Sequence, residues 1–347
     1  MIRQTYSRVS EANLLPKLIN VKENLIVANF FLMKLLPASY ILDRAREENL
    51  IKEGSRIIET TSGTFGRALA ILCAERGYEL ILVSDPAIDN QLKRCLEDLG
   101  ARVEIVEKPA RVGGFQRARL DRMAELQTHF PNHFSPSQYA NPYNPKAYAP
   151  FVELLNEAVG PINCLVGSVG SGGSMSGTGN YLRRFYPNMR AIGVDTFGSV
   201  LFGQPDAKRS LRGLGNSLMP PNLDHTIFDE VHWVSAAAAF RATREIHRKH
   251  ALFVGPTSGA TFLAADWWAS RNPDSITVAL LPDEGYRYID TVYQDSWLTE
   301  NGLDLSKLPD EPQLVSYPHE AKPEWANIMW NRRTYKEVLG NKFETEV

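Results

Sequence analysis

Short apolar runs and longer amphipathic segments follow one another along most of the chain. Apolar runs of four to eight residues are typical of buried strands, and apolar positions three to four apart are typical of helices. The pattern predicts strands at 25–28, 56–58, 79–84, 102–106, 164–167, 191–194 and 276–281. It predicts helices from about 37, and at 40–50, 67–76, 88–99, 115–129, 151–159, 177–185, 236–249 and 260–270. Strands that alternate with helices predict an α/β fold of mostly parallel sheets covered by helices.

The most apolar stretch, residues 24–42, contains Lys34 and Pro37. A transmembrane span would hold the Lys34 charge near its middle, which is costly, and a signal peptide would need a clear cleavage site. The stretch is therefore interpreted as a buried strand followed by a buried helix, with no membrane partner. A lysine in such surroundings is expensive to bury unless it has a function.

Composition narrows the function classes. The chain has 347 residues, 44% of them hydrophobic and 22% charged, with a net charge of −2. This length favours two domains or one large α/β unit, and the charge balance gives no reason to expect a nucleic-acid partner. Cys73, Cys95 and Cys164 are widely spaced and have no neighbours at metal-ligand spacing. They predict a reduced, cytoplasmic protein without a metal site.

Three turns rich in glycine and hydroxyl residues, at 60–66, 170–174 and 255–259, each follow an apolar run and precede a helix. Backbone N–H groups at a helix N-terminus bind anions, although a single turn of this kind is as well explained by ordinary helix capping. The turn at 170–174 lacks the Lys-Ser/Thr of a P-loop and the spacing of a dinucleotide fingerprint. Its pattern favours an organic cofactor that carries a phosphate.

Six segments, in order, resemble motifs of the fold-type II pyridoxal-phosphate enzymes, and within them the cysteine synthase family. They are IIETTSGTFGRALA, SPSQYANPYNP, GSGGS, GLGNSLMP, GPTSGA and LPDEGYRY, within a similarity that covers roughly residues 21–298. The resemblance implies pyridoxal 5'-phosphate as cofactor, a small amino acid as substrate and a homodimer. It implies a larger cofactor-binding domain at 1–40 and 149–302, a smaller mobile substrate domain at 41–148 and a C-terminal extension at 303–347.

The resemblance also implies roles for individual residues. Lys34 would bind the cofactor aldehyde and then act as base for the α-proton. The residues expected to hold the cofactor are Lys34, Thr64, Gly170, Ser171, Gly172, Gly173, Ser174 and Thr257, with Thr257 at the pyridine nitrogen. The residues expected to bind the substrate are Thr61, Ser62, Thr64, Phe65, Gln138, Arg212 and Gly213.

The chain departs from the family at several of these positions. Leu35 and Leu36 replace the Asp-Arg pair that usually follows the lysine, Thr64 replaces an asparagine, and Phe65 replaces a threonine. Arg212 stands where phosphoserine-using relatives have an arginine for the leaving phosphate, and a surface arginine is an equally good interpretation. Segments 193–203 and 287–298 are similar to the siderophore-pathway synthase that joins O-phosphoserine to glutamate.

The resemblance implies β-replacement on an O-activated L-serine through an aminoacrylate, with O-phospho-L-serine favoured and O-acetyl-L-serine possible as donor. The expected nucleophile is sulfide or thiosulfate, giving cysteine or S-sulfocysteine, because Phe65 and Phe115 suit a narrow entrance. Three alternatives stay open. They are an amine nucleophile such as L-glutamate, giving a diaminopropionate precursor, a serine/threonine lyase, and a non-catalytic paralogue that binds the cofactor.

Overall fold

The computed structural model describes residues 5–61, 63–211, 213–306 and 308–340. Its strands are β1 Lys17–Lys22, β2 Leu25–Asn29, β3 Arg56–Thr60, β4 Glu79–Ser84, β5 Arg102–Ile105, β6 His133–Phe134, β7 Cys164–Ser168, β8 Arg190–Asp195, β9 Glu230–Val234, β10 Thr277–Leu281, β11 Gln313–Val315 and β12 Trp325–Met329. Its helices are α1 Val9–Ala12, α2 Leu35–Glu47, α3 Thr64–Arg76, α4 Asn90–Asp98, α5 Gly114–His129, α6 Tyr143–Lys146, α7 Ala149–Ala158, α8 Gly173–Phe185, α9 Ala236–His250, α10 Pro256–Arg271, α11 Asp295–Glu300 and α12 Tyr335–Leu339. Short 3₁₀ turns lie at Val200–Phe202, His225–Ile227, Tyr286–Tyr288 and Pro318–Glu320.

The described strands form two sheets. The larger sheet has eight strands in the order β1-β2-β10-β7-β8-β9-β12-β11, and the smaller has four in the order β5-β4-β3-β6. The pairs of the small sheet are all parallel. In the large sheet β1 with β2 and β12 with β9 are antiparallel, and the other pairs are parallel. The predicted α/β fold with mostly parallel sheets is confirmed.

Helices cover both faces of the large sheet, so its central strands are apolar without alternation. Along β10, Val278 and Leu280 belong to one hydrophobic cluster, and Ala279 and Leu281 belong to another. Successive side chains of a strand point to opposite faces, so the two clusters lie on the two sides of the sheet. A third cluster, which includes Leu69 and Leu82, packs α3 against the small sheet.

The structure contains strands that the hydrophobic pattern did not predict. Strand β1 is mixed and partly exposed because it is an edge strand paired only with β2. The tail, expected as a C-terminal extension from residue 303, adds β11 and β12 to the large sheet. It is fixed there by Trp325 and Trp330, which are both buried. The proposed domain limits at 40/41, 148/149 and 302/303 stay a prediction.

Three helices begin three or four residues earlier than predicted. Helix α3 starts at Thr64 rather than 67, α8 at Gly173 rather than 177, and α10 at Pro256 rather than 260. In each case residues interpreted as a turn form the first helical turn, because glycine and hydroxyl residues conceal the helical spacing. Among the described residues, no helix is both long and apolar enough to span a bilayer.

Candidate active site

A cavity of about 510 Å³ opens where strands of both sheets end. Lys34 follows β2, Thr61 follows β3, Gly170 follows β7 and Asp283 follows β10. In open parallel α/β sheets, the carboxyl ends of the strands are where ligands bind. The cavity therefore occupies the position that this fold provides for a ligand.

Lys34 lies between β2 and α2 and has a partly buried side chain. Its Nζ donates a hydrogen bond to Ser171 Oγ at 3.3 Å. Burial lowers the pKa of Lys34 from 10.5 to about 8, because desolvation disfavours the ammonium form. An amine with this pKa is partly neutral near pH 7.5, as a nucleophile or a base must be.

Residues 170–174 form a glycine-lined turn that leads into α8. Gly172 has φ +82°, and a Cβ there would lie 2.6 Å from Leu223 Cα. A Cβ on Gly173 would lie 2.1 Å from Asn144 Oδ1, and one on Gly170 would lie 3.1 Å from the Gly213 carbonyl oxygen. The backbone is therefore packed so tightly that only glycine fits, which leaves N–H groups at the start of α8 accessible to an anion.

Thr257 lies in the first turn of α10, buried and facing the cavity. A Cβ on Gly213 would lie 3.5 Å from Thr257 Oγ1, so the backbone at Gly213 is in van der Waals range of the Thr257 side chain on this side of the cavity. The arrangement places a hydroxyl group, rather than a carboxylate, at this side of the cavity.

The loop after β3 lies on another wall. Thr61 Oγ1 accepts a hydrogen bond from the Gly63 N–H at 3.1 Å, and Thr64 begins α3. Phe65 is only 2% exposed and belongs to the hydrophobic cluster under α3. Gln138, also buried, faces this loop across the cavity, and its backbone oxygen accepts hydrogen bonds from Asn144 and Asn222.

The cavity brings most of the predicted site residues together. Those that line it are Lys34, Thr61, Thr64, Phe65, Gln138, Gly170, Ser171, Ser174, Gly213 and Thr257. Gly172 and Gly173 are not among its lining residues and instead pack against Leu223 and Asn144. The predictions for Ser62 and Arg212 fall outside the described residues.

The sequence did not single out several charged residues that line the cavity. Arg119 of α5 is 7% exposed and lies 3.3 Å from Asp85, which follows β4. Asp283 accepts a hydrogen bond from the Tyr288 hydroxyl at 2.9 Å, and burial raises the pKa of Asp283 to about 6. Asp85 stands directly after an apolar strand, so its position at a strand end was the available signal; Arg119 lies within a helix rich in charge and gave none.

The residues present fit pyridoxal phosphate, the cofactor that the resemblance implies. The tight turn at 170–174 offers a phosphate cradle that a Cβ on Gly172 would disrupt, and the desolvated Lys34 amine lies beside Ser171 in the same cavity. Among the residues that the structure describes, no cluster of three or more His, Cys, Asp and Glu side chains is placed to hold a metal ion.

Comparisons with known proteins agree with this fit. The family described as pyridoxal-phosphate dependent enzyme matches residues 33–283. The chain is 35% identical over 290 residues to the N-(2-amino-2-carboxyethyl)-L-glutamate synthase of Cupriavidus metallidurans, covering 80% of this chain and 85% of that protein. It is 34% identical over 265 residues to the synthase of the same name from Ralstonia nicotianae, covering 76% and 78%.

Solved structures of two enzymes have a fold similar to that of this chain. The O-acetylserine dependent cystathionine beta-synthase from Helicobacter pylori superimposes with a TM-score of 0.77 at 25% identity, covering 84% of this chain and 100% of that chain. A hydrogen sulfide-producing enzyme from Fusobacterium nucleatum superimposes with a TM-score of 0.75 at 27% identity, covering 82% and 100%. The predicted fold-type II architecture, cofactor and enzyme class are confirmed. By its fold, its site and these matches, the chain belongs to the family of pyridoxal-phosphate dependent enzymes.

Proposed function

We propose that the chain joins the β-carbon of an O-activated L-serine, O-phospho-L-serine first, to the amino group of L-glutamate. The main support is that two curated relatives, 35% and 34% identical, are both named for N-(2-amino-2-carboxyethyl)-L-glutamate. This product contains an alanine unit whose β-carbon is bonded to the glutamate nitrogen. The amine nucleophile, an alternative to sulfur in the sequence analysis, thereby becomes the favoured one.

The charges of the cavity support a nucleophile that carries carboxylates. Arg119 Nη1 is buried and has no hydrogen-bond partner within the described ranges, although the guanidinium lies beside Asp85. A guanidinium binds a carboxylate through two parallel hydrogen bonds, and L-glutamate offers two carboxylates, whereas the single atom of sulfide cannot form such a pair. The argument for sulfur from a narrow entrance also weakens, because Phe65 and Phe115 line a cavity of about 510 Å³, a size typical of sites for small organic molecules.

The reaction assigns a task to each part of the site. When bound, pyridoxal phosphate supplies an electron-withdrawing ring that stabilises negative charge at the substrate α-carbon. Lys34 Nζ removes the α-proton, and the Cβ–O bond breaks with its electron pair leaving on phosphate. The glutamate nitrogen then forms the Cβ–N bond and loses a proton, and Lys34 returns a proton to the α-carbon.

The remaining predicted residues bind and orient the substrates. Thr61, Ser62, Thr64 and Gln138 are proposed to hold the α-carboxylate of the donor, and Arg212 with Gly213 the leaving phosphate. Gly170 to Ser174 are proposed for the cofactor phosphate, and Thr257 for its ring nitrogen. The homodimer and the cytoplasmic location also stay predictions.

A nucleophile competition tests the proposal. Holoenzyme with O-phospho-L-serine is offered ¹⁵N-labelled L-glutamate, sulfide and thiosulfate in separate and mixed reactions. We expect phosphate release that depends on glutamate and a product whose mass carries the label, while Lys34→Ala gives neither. Formation of cysteine or S-sulfocysteine faster than the glutamate product would favour a sulfur nucleophile. Pyruvate released without any nucleophile would indicate a lyase. O-acetyl-L-serine in parallel reactions determines the donor.

A further inference from the structure

Glu59, the fourth residue of β3, is a buried acid that the reaction described above does not use. Its side chain is 1% exposed, and it lies two residues before Thr61. It does not line the cavity. A carboxyl group buried this deeply needs partners, because burial without hydrogen bonds costs several kcal/mol on average. The identity of its partners indicates its role.

The Glu59 carboxyl group links two separate segments of the chain. Oε1 accepts a hydrogen bond from the Thr60 N–H at 2.8 Å, and Oε2 accepts one from the Gln138 N–H at 3.3 Å. The backbone of Ser137, next to Gln138, also favours the charged form of the carboxyl group and lowers its pKa. Thr60 precedes the loop of Thr61, and Gln138 lies on the facing loop, 79 residues after Glu59 in the chain. One side chain thus holds the backbone of both loops that are proposed to hold the substrate carboxylate.

Charged and titratable groups surround Glu59 from other elements. Arg119 of α5 lowers its pKa and is itself beside Asp85, while Tyr139 is partly buried and interacts electrostatically with all three. Burial outweighs these effects and the backbone hydrogen bonds, and raises the pKa of Glu59 to about 7. The carboxyl group therefore changes its charge, and with it its capacity to accept two N–H groups, near neutral pH.

We propose that Glu59 is a positioning residue, which fixes the distance between Thr61 and Gln138 and so determines how tightly the α-carboxylate of the amino acid binds. The inference rests on the proposed function only in assigning that carboxylate to these two loops. It does not depend on the leaving group or on the nucleophile.

The substitution Glu59→Gln tests the role with little change in volume. The amide replaces one acceptor oxygen by an N–H donor, which then faces a backbone N–H, so one of the two loops is released. Titration of holoenzyme with L-serine, followed by the visible absorbance of the cofactor, gives a dissociation constant without any nucleophile or leaving group. L-Serinamide, which lacks the carboxylate, is titrated as a matched ligand.

We expect the L-serine dissociation constant to rise on the order of tenfold in Glu59→Gln, the size expected for one lost hydrogen bond. The constant for L-serinamide should stay within about twofold, since it has no carboxylate to lose. Glu79→Gln, at an exposed acid of β4, is the control and should change neither constant. Affinity for L-serine should rise more steeply in the wild type than in Glu59→Gln as pH rises through about 7, because both proteins share the titration of the L-serine amine and only the wild type adds that of Glu59.

Each other result overturns the inference. Equal losses for L-serine and L-serinamide would show a general structural role, and unchanged constants for both would show that Glu59 does not act on binding. A pH profile in Glu59→Gln that matches the wild type would also contradict it. A wild-type holoenzyme without any response to L-serine would overturn the proposed amino-acid site as well, so the two failures are distinguishable.

Discussion

Lys34 shows how the surroundings of one residue determine its chemistry. It follows β2 in a stretch that is apolar on both sides, and no acidic group contributes to its pKa shift. Desolvation alone lowers the pKa to about 8. Leu35 and Leu36, which stand where the family motif has an Asp-Arg pair, are themselves buried, so no charged side chain directly follows the lysine.

The first prediction concerns the rate at which apoenzyme takes up pyridoxal phosphate. Only the neutral amine attacks the aldehyde, so the rate should rise about tenfold per pH unit below 8 and level off above it. Stopped-flow absorbance at a series of pH values measures this. Free N-acetyl-lysine, with an ordinary pKa of about 10.4, should continue to accelerate to higher pH. A protein profile that coincides with the free amine would contradict the lowered pKa.

The second prediction concerns Arg119 and the second substrate. Arg119→Lys keeps the charge beside Asp85 but loses the planar fork that binds a carboxylate in two places. We expect the KM for L-glutamate to rise on the order of tenfold while the KM for O-phospho-L-serine changes by less than about threefold. Arg117→Lys, on the same helix with a side chain that is 61% exposed, should change neither value in steady-state kinetics. Equal effects on both substrates would remove Arg119 from the glutamate site.

At the scale of elements, the site is built from loops that follow strands and from the first turns of helices. The sequence predicted turns at 60–66, 170–174 and 255–259. The last residues of each predicted turn in fact form the first turn of α3, α8 or α10, because glycine and hydroxyl residues there do not show helical spacing. The contents of the site could be predicted because the motifs are local. The charged residues Arg119 and Asp283 could not be predicted, since only the fold brings them to the cavity that Lys34 lines.

The third prediction separates backbone strain from packing at the start of α8. Gly172 and Gly160 have nearly the same φ, +82° and +80°, but a Cβ would collide with Leu223 only at Gly172. Alanine at either position should cost about 1 kcal/mol of strain, and Gly172→Ala a further 1–3 kcal/mol from overpacking. Denaturant unfolding should show this difference, and the dissociation constant of the cofactor should rise only in Gly172→Ala. Equal behaviour of both variants would show that the close approach to Leu223 has no cost.

At the scale of the whole molecule, the hydrophobic pattern predicted the alternation of strands and helices that builds both sheets. It did not predict β9 and β12. Strand β9 contains Glu230 and His232, which are polar residues within a buried segment. His232 donates to Glu230 at 2.9 Å and accepts a hydrogen bond from the Trp325 indole at 3.0 Å, while Asn327 donates to Glu230 at 2.7 Å. Trp325 and Asn327 stand more than 90 residues later in the chain. The polar groups of β9 therefore find their hydrogen-bond partners only when the chain is folded, and the segment looks too polar for a buried strand when the sequence is considered alone.

The fourth prediction follows from the burial of the tail. Trp330 is buried, stacks on His225 at 5.6 Å and contacts Phe202 edge-on at 5.2 Å. Trp330→Ala should lower the free energy of unfolding by about 3–5 kcal/mol. Tyr317→Ala, an aromatic residue of the same tail that is 54% exposed, should change it by less than about 0.5 kcal/mol. Similar values in urea unfolding for the two variants would mean that the tail is not integral to the sheet.

The strand order also governs the sequence of events as the chain leaves the ribosome. The small sheet comes from one continuous stretch, β3 to β6, and can pair as soon as that stretch has emerged. Strand β2 must wait for β10, its parallel neighbour about 250 residues later, and β9 must wait for β12, which follows it by more than 90 residues. Until then the nascent polypeptide exposes the edges of β2 and β9, which are sites of aggregation in slow-forming sheets. Strand β10, made long after Lys34, thus completes the pairing of β2, the strand that leads to this lysine.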